Sequence, residues 1–163
     1  MSIATNEAIG ASANGSSLQF STFHVGGLFF GLEVLKVQEV LRYQDMTPVP
    51  LAPSVIEGLI NLRGQIVTAI DVRRRLELPP RADGEFPVNV VVRNDGETVS
   101  LLVDEVGDVL DVDEDAYERP PETLKGVARE LVTGVYTLKD RLLLVLDTER
   151  TVNLPASRIT INP

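Results

Sequence analysis

The chain has 163 residues, and 44% of them are hydrophobic, which is enough for one packed domain of ordinary size. Its net charge of −9 argues against binding to nucleic acid or to an anionic membrane surface, because both require clustered Lys and Arg. Since the chain contains no cysteine, disulfides, thiolate zinc sites and cysteine nucleophiles are excluded.

The N-terminal segment, residues 1–17, is rich in Ser, Ala, Asn and Gly, and it is expected to be a disordered arm. It does not have the composition of a signal peptide, and no segment of the chain reaches the ~18 apolar residues of a membrane span. We therefore expect a soluble, cytoplasmic protein. Residues 18–150 are predicted to form a single domain, followed by a C-terminal tail at residues 151–163.

The first half of this domain, about residues 18–80, is predicted to be a series of short strands, because Val, Leu and Ile supply most of its apolar residues. The turn residues Gly26-Gly27 predict one hairpin, and Arg63-Gly64 predict another. A short helix is expected to start near Pro53, since proline is tolerated in a first turn. Arg73–Leu78 has the pattern of a further helical turn.

The second half, about residues 86–147, is separated from the first by a polar linker over residues 79–86. Asn94-Asp95-Gly96 is its strongest hairpin signal, because Asp-Gly supplies the positive φ angles of a tight turn. A last hairpin is predicted to turn at Lys139-Asp140. The segment from Thr148 onward is expected to cross back to the first half.

The two halves resemble each other, because three segments of the first return in the second in the same order. The pairs are Val34–Leu41 with Val103–Leu110, Pro53–Gly58 with Pro121–Gly126, and Gly58–Asp71 with Gly134–Asp147. Two copies imply two similar half-domains packed on each other, whereas a solenoid needs three or more units. We therefore predict a mainly β fold of two small barrels, each with about five strands, and a few short helices.

Residues that carry catalysis are sparse in this sequence. The single histidine, His24, is interpreted as a surface or strand-edge residue. The sequence contains neither a phosphate-binding loop nor a nucleophile elbow. The segment Asp111–Glu122 has the carboxylate spacing of a calcium loop, but Ala116 stands where such a loop needs glycine. A solvated acidic connector is therefore favoured, with calcium binding as the alternative.

Charged residues within otherwise apolar segments are better candidates for a binding role. Arg63 must project from its tight turn, and a carboxylate such as Glu39 would fix its guanidinium group. Two interpretations stay open: a surface salt bridge worth ~0–1 kcal/mol, or an oriented pair at the rim of a binding surface. The run Arg73-Arg74-Arg75 is interpreted as an exposed helix face. Apolar residues left unburied would line a groove for a partner.

The sequence resembles the CheW family of bacterial chemotaxis coupling proteins over roughly residues 18–150. The resemblance is carried by Leu35–Val40, by Pro53–Arg73 with its Asn-Leu-Arg-Gly stretch, and by Val103–Leu110. It implies two five-stranded SH3-like β-barrel subdomains packed around a shared apolar interface. It also implies a non-catalytic protein that uses no cofactor and no metal.

The resemblance further implies which partners are bound and which residues contact them. The family bridges the cytoplasmic tip of methyl-accepting chemotaxis receptors to the regulatory domain of the histidine kinase CheA. The protein would thus be cytoplasmic and recruited to membrane receptor arrays, without binding nucleic acid or inserting into the membrane. An apolar groove between the barrels would receive the receptor tip as a helix in a groove. The receptor-binding residues carried over by position are Val37, Glu39, Gly58, Arg63, Gly64, Val106 and Val109.

The kinase contact carried over from the family is Val88 with Asn89, at the strand that enters the second half. Two other functions stay open beside the receptor–kinase adaptor. One is a scaffold of the same family in a non-flagellar chemosensory pathway, such as motility or biofilm control. The other is a small enzyme or calcium-binding module, which metal affinity near Asp111 would favour.

Overall fold

The computed structural model describes residues 17–153 of the chain. The predicted arm and most of the predicted tail lie outside these residues. In the described part, no helix is both long enough and apolar enough to cross a membrane.

Residues 17–153 form twelve strands, three short α-helices and two 3₁₀ turns. The strands are β1 (Ser17–Val25), β2 (Leu28–Glu33), β3 (Val37–Leu41), β4 (Ile56–Leu62), β5 (Gln65–Asp71), β6 (Val88–Asn94), β7 (Glu97–Val103), β8 (Glu105–Val106), β9 (Leu110–Asp113), β10 (Tyr117–Glu118), β11 (Val132–Thr137) and β12 (Leu142–Leu146). The helices are α1 (Val72–Arg75), α2 (Gly126–Leu131) and α3 (Thr148–Val152), and the 3₁₀ turns are Val34–Lys36 and Glu114–Ala116.

The strands form two sheets that exchange hairpins between the two halves of the chain. Sheet 1 has the order β10-β11-β12-β2-β1-β8, with β9 also paired to β1, and sheet 2 has the order β3-β6-β7-β5-β4. Hairpin β1–β2 of the first half therefore completes the sheet of the second half, and hairpin β6–β7 does the reverse. The mainly β class with two packed sheets is confirmed. The predicted sequential subdomains, about residues 18–80 and 86–147, are wrong because each sheet draws strands from both halves.

The two sheets share one internal arrangement. Each contains an antiparallel hairpin, with an antiparallel partner on one side and a parallel strand on the other. In this arrangement β3 corresponds to β8 and β9, β4–β5 to β11–β12, and α1 to α3. These are the elements that the sequence repeats align. The exchange arises because the short connections after β2 and after β7 each lead the chain into the other sheet.

One hydrophobic cluster, here called the shared core, lies between the two sheets. Its buried members include Phe30 and Leu144 from sheet 1, and Val92 and Leu101 from sheet 2. A smaller cluster, which includes Phe20, belongs to sheet 1 alone. Complete burial of such a side chain contributes about 1.5–3 kcal/mol relative to exposure. The shared core therefore holds the sheets together as one folding unit.

Most of the predicted turns are present. Both central residues have positive φ in the turns Gly26-Gly27, Arg63-Gly64 and Asp95-Gly96, as a two-residue turn of this type requires. The helix expected near Pro53 is wrong. The Ile56 N–H donates to the Pro53 carbonyl in a single turn, and β4 begins at once because its pairing with β5 outweighs local helix formation.

Helices α1 and α3 begin with the same kind of cap, and an arginine of α1 bonds to the backbone of α3. Asp71 and Asp147 each accept a hydrogen bond from a backbone N–H of the following helical turn. Arg75 of α1 donates to the carbonyl oxygens of Arg150 and Thr151 in α3, at 2.8 and 2.9 Å. The segment that starts α3 therefore crosses back to the first half, as expected.

Candidate functional site

The Glu39–Arg63 ion pair joins the two outermost strands of sheet 2. Glu39 lies on β3, and Arg63 directly follows β4, at the opposite end of the strand order. The Nη1 and Nη2 groups of Arg63 donate to the two carboxylate oxygens of Glu39, at 2.6 Å each. A bidentate contact of this kind fixes the orientation of the guanidinium plane. The pair thereby connects the two edges of the sheet.

The pair is asymmetric in its exposure. The Arg63 side chain is 71% exposed, whereas that of Glu39 is 20% exposed. The hydrogen bond from Arg63 lowers the pKa of Glu39, and the bond to the Glu39 carboxylate raises the pKa of Arg63. Because exposed ion pairs add little stability, the main effect of this contact is to hold a cation in a fixed direction at the surface.

The turn after β4 is built to display Arg63. Arg63 and Gly64 have φ angles of 54° and 87°, so Arg63 occupies the left-handed region that non-glycine residues seldom adopt. The side-chain oxygen of Asn61 accepts a hydrogen bond from the Gly64 N–H at 2.9 Å and locks the turn. Ile66, two residues after Gly64, is 59% exposed and adds an apolar side chain to the surface of β5.

Gly58 is buried in β4 and has a structural role. A Cβ atom at this position would lie 2.7 Å from the carbonyl oxygen of Thr47. Thr47 and Leu59 exchange two backbone hydrogen bonds there, at 2.8 and 2.9 Å. Only glycine therefore allows the backbone of the loop after β3 to pack this closely against β4. Gly58 is one of the predicted receptor-binding residues, but here it is buried, and its role is to allow close packing of the Thr47 backbone on β4.

Val106 and Val109, the other predicted receptor-binding residues, lie on the edge of sheet 1 and are 40% and 55% exposed. The segment is held by two hydrogen bonds, from the Gly107 N–H to the Thr22 carbonyl and from the Thr22 hydroxyl to the Asp108 carbonyl. Across residues 17–153, no hydrogen bond or ion pair joins it to Glu39 or Arg63. The predicted receptor-binding residues thus form two clusters, one on each sheet.

The two clusters occupy corresponding places in the two sheets. In the sequence repeat that aligns Val34–Leu41 with Val103–Leu110, Val106 is equivalent to Val37 and Val109 is equivalent to Val40. Val37 is half-buried at the start of β3, and Val40 is 44% exposed on the same strand. Sheet 2 therefore presents both valines on β3, whereas sheet 1 presents Val106 on β8 and Val109 in the connection from β8 to β9.

The shared core occupies the interface between the two sheets, and the apolar groove expected at the surface of this interface stays a prediction. Val25, Val72 and Leu101 have no exposed surface there, and Val37 contacts only the margin of the cluster. The exchanged hairpins bring the apolar faces of the two sheets together, so those faces bury each other. Within residues 17–153, the large apolar residues that remain exposed are Leu35, Val40, Val49, Leu51, Ile66, Phe86, Val106, Val109, Tyr117 and Leu142.

The predicted kinase contact differs between its two residues. Val88 is half-buried at the start of β6. Asn89 has no exposed surface, and it donates to the Arg42 carbonyl at 3.0 Å and accepts from the Ser100 hydroxyl at 2.7 Å. A buried polar side chain needs such partners. The prediction that Asn89 contacts a kinase is therefore wrong, since its amide connects β6 to β7 and to the segment after β3.

The arginine run of α1 is not the exposed helix face that was predicted. Arg73 is only 18% exposed and bonds to Asp104, Arg74 contacts Glu57, and Arg75 bonds to α3. Consecutive residues of a helix point in directions about 100° apart. One turn can therefore send three arginines to three different partners, which neither composition nor spacing reveals.

Asp104, which sequence reasoning missed, is the centre of a charge network between the two halves. Its carboxylate accepts from Arg73 Nε at 2.9 Å and from the Gly26 N–H at 2.7 Å. Arg81 Nε lies 3.0 Å away as a charge contact, and Arg81 also pairs with Asp71 at 3.2 Å. Burial raises the pKa of Asp104, but the Arg73 and Gly26 hydrogen bonds and the Arg81 charge outweigh it and lower the pKa overall.

Other sequence candidates have local contacts. Between residues 17 and 153, no three His, Asp or Glu side chains are grouped to hold a metal ion. Asp113 of the acidic segment accepts from the Asp115 N–H at 2.9 Å and caps the second 3₁₀ turn. The His24 ring is tilted by 36° against the Phe29 ring, with centroids 4.9 Å apart, and its Nε2 atom lies 3.4 Å from Nη1 of Arg141. The site as a whole offers oriented charge and exposed apolar side chains, which suit binding.

Comparison with known proteins identifies the family. A model described as CheW-like domain matches residues 19–156. The chain is 33% identical over 132 residues to Chemotaxis protein CheW of Klebsiella aerogenes, covering 81% of this chain and 80% of that protein. It is 28% identical over 141 residues to Chemotaxis protein CheW of Treponema pallidum, covering 84% and 83%. The crystal structure of scaffolding protein TtCheW from Thermoanaerobacter tengcongensis matches with a TM-score of 0.77 at 27% identity, covering 85% of this chain and 94% of that one. The chain therefore belongs to the CheW-like family of chemotaxis scaffold proteins.

Proposed function

We propose that this protein is a non-catalytic adaptor that couples methyl-accepting chemotaxis receptors to the histidine kinase CheA. The observation that carries the proposal is the exposed, bidentate Glu39–Arg63 pair on a chain of the CheW-like family. Such a pair presents an oriented cation to a partner, and Arg is a frequent anchor at protein interfaces. The adaptor works in the cytoplasm and reaches the membrane arrays through its partners.

Arg63 retains unused hydrogen-bonding capacity for a receptor. Its guanidinium group carries five N–H donors, and two of them are committed to Glu39. The remaining donors can bond to a carboxylate or a carbonyl oxygen on the receptor tip. Gly64 is the next residue in the same turn, and Val37 lies on β3 with Glu39, while Val106 and Val109 offer a second apolar contact on sheet 1.

The receptor tip would therefore lie across the edges of the sheets, and the kinase would contact a separate surface. Exposed valines lie at the edges of both sheets, so we expect the helical tip to dock on β3 and on the segment from β8 to β9. Val88 at the start of β6 is the proposed kinase contact. Asn89 holds that strand in place from inside.

A charge reversal at Arg63 tests this proposal. Arg63→Glu places a second carboxylate beside Glu39, so it removes the oriented cation and adds repulsion. We expect binding to receptor fragments or to the kinase to weaken at least tenfold in co-sedimentation and calorimetric titration. Arg129→Glu is the matched control, since Arg129 lies on α2 and bonds only to local carbonyl groups.

Binding that is unchanged in Arg63→Glu would contradict the site assignment. If Arg63→Glu does weaken binding, the double variant Glu39→Arg/Arg63→Glu separates two roles of the pair. Recovery of binding in the double variant assigns the pair a structural role in closing sheet 2. Persistent loss assigns a direct contact to the Arg63 cation.

The alternative function is a scaffold of the same family in a non-flagellar pathway. The same surfaces would serve it, so only the identity of the partners separates the two functions. Capture of the full chain's partners from the native cytoplasm, followed by their identification, decides between them. Recovery of receptors and kinase of a motility or biofilm pathway without flagellar components would favour the alternative.

A further inference from the structure

Neither half of this chain contains a complete sheet. Five strand pairings join the halves: β3 with β6, β5 with β7, β2 with β12, and β1 with both β8 and β9. The shared core likewise takes buried residues from both halves. A half that is separated from its partner therefore exposes unpaired strand edges and apolar faces, and both are strong drives to pair again.

The covalent link between the halves is a single irregular segment. Residues 76–87 connect α1 to β6 and contain neither helix nor strand. Pro79-Pro80 cannot donate backbone hydrogen bonds, and Ala82–Glu85 closes a small exposed turn of its own. The strand pairings that join the halves use no residue of this segment. Its first residues are anchored, since Leu76 is buried in the shared core and Leu78 packs against it. Further along, Arg81 forms ion pairs with Asp71 and Asp104.

We infer that two copies of this chain exchange halves and form a dimer. In this dimer the first half of each copy pairs with the second half of the other, so every strand pairing of the monomer is recreated twice. Exchange of identical elements is a low-cost route to a dimer, because it requires no new interface. The linker keeps the monomer dominant in dilute solution by raising the effective concentration of its own second half.

The Asp104 network holds the two halves of the monomer together by polar contacts. Asp104 belongs to the second half, and it is held by Arg73 and the Gly26 N–H of the first half. Arg81 of the linker contacts the same carboxylate, at 3.0 Å. These contacts must break before the halves separate, and they form again in the exchanged dimer.

An exchanged dimer carries two complete copies of the surface around Glu39 and Arg63. Both residues lie in the first half, so the ion pair stays within one chain. A particle with two such surfaces engages clustered partners with greater avidity than the monomer. The exchange itself does not rest on the proposed function, and it is measured without any partner.

Two single-cysteine variants of the full chain test the inference. Gln19→Cys and Asp111→Cys change exposed register partners on β1 and β9, which belong to different halves. Because the natural chain has no cysteine, no other thiol competes. One variant carries an affinity tag that increases its size. The two are unfolded in urea, refolded together at increasing total concentration, and oxidised.

We expect a disulfide-linked dimer of tagged and untagged chains, whose fraction rises with concentration and disappears under reducing conditions. The matched control is Arg93→Cys mixed with Thr98→Cys. These register partners lie in one hairpin and therefore stay within one chain after exchange. An equal yield of mixed dimer from the control, or none from the first pair at any concentration, would overturn the inference. The unsubstituted chain, refolded at the same concentrations, must show the dimer by light scattering.

Discussion

Leu51 combines two unfavourable features in one residue. Its side chain is fully exposed, and its φ of 65° lies in the left-handed region. The Ala52 N–H donates to the Val49 carbonyl at 3.2 Å, which makes Leu51 the third residue of a tight turn after Pro50. Turns with positive φ at that place favour Gly, which has no Cβ to approach the following carbonyl oxygen, or Asn, whose polar side chain can hydrogen-bond to the nearby backbone.

Replacing this leucine by asparagine is therefore expected to stabilise the protein. Leu51→Asn relieves backbone strain and removes no buried contact, so the free energy of unfolding should rise by about 0.5–1 kcal/mol. Urea unfolding followed by circular dichroism measures the change. Leu35→Asn is the control, since Leu35 is 94% exposed but has no positive φ. A loss of stability in Leu51→Asn alone would mean that the leucine makes a contact that stabilises the fold.

At the scale of secondary-structure elements, the Asp104 network holds the connection between β7 and β8 in one position. Asp104 stands between these two strands and contacts the β1–β2 turn and α1 at once. Its lowered pKa means that the folded protein holds the ionised form, whereas the unfolded chain takes up a proton at a higher pH. The resulting stabilisation is fully present above the ordinary Asp pKa, and it declines as the pH falls toward the lowered value.

Neutralising this carboxylate should destabilise the fold and make the free energy of unfolding less dependent on pH in the acid range. Asp104→Asn is expected to lower the free energy of unfolding by about 1–3 kcal/mol at pH 7, because it weakens hydrogen bonds to a charged group. The unsubstituted protein should lose stability below about pH 4, and the variant should lose less. Urea titrations from pH 7 to pH 3 measure both effects. Asp108→Asn, at an exposed position, serves as the control; an equal response in the two variants would contradict the assigned role.

At the scale of the whole molecule, the shared core makes the two sheets one cooperative unit. Sheet 1 contributes Phe30 and Leu144 to it, and sheet 2 contributes Val92 and Leu101. Because the hairpins are exchanged, unfolding of one sheet removes strands from the other. Two sheets that are joined in this way cannot melt separately.

We therefore expect a single unfolding transition, with equal calorimetric and van't Hoff enthalpies. Leu101→Ala in sheet 2 and Leu144→Ala in sheet 1 should each shift that one transition and cost about 2–5 kcal/mol. Leu142→Ala, at an exposed position, should change it little. A variant whose transition splits into two steps would show that the sheets fold independently.

Local signals account for what could be predicted of the fold. Glycine at Gly64 and Gly96 forms tight turns through the φ preference of a few adjacent residues. The sequence predicts the exposed ion pair because Arg63 and Glu39 interrupt apolar segments. Asn89 stands in the same kind of segment, yet it is buried, and spacing alone does not distinguish the two cases.

By itself, the sequence determined the mainly β class, the hairpins and their turns, and the repetition of one strand pattern. Each of these depends on residues close together in the chain. Only the tertiary structure decided which hairpin completes which sheet, that one core takes residues from both sheets, and that Asp104 pairs with Arg73. These features depend on contacts between distant segments. Many pairings satisfy the same local preferences, and the burial of both apolar faces selects one of them.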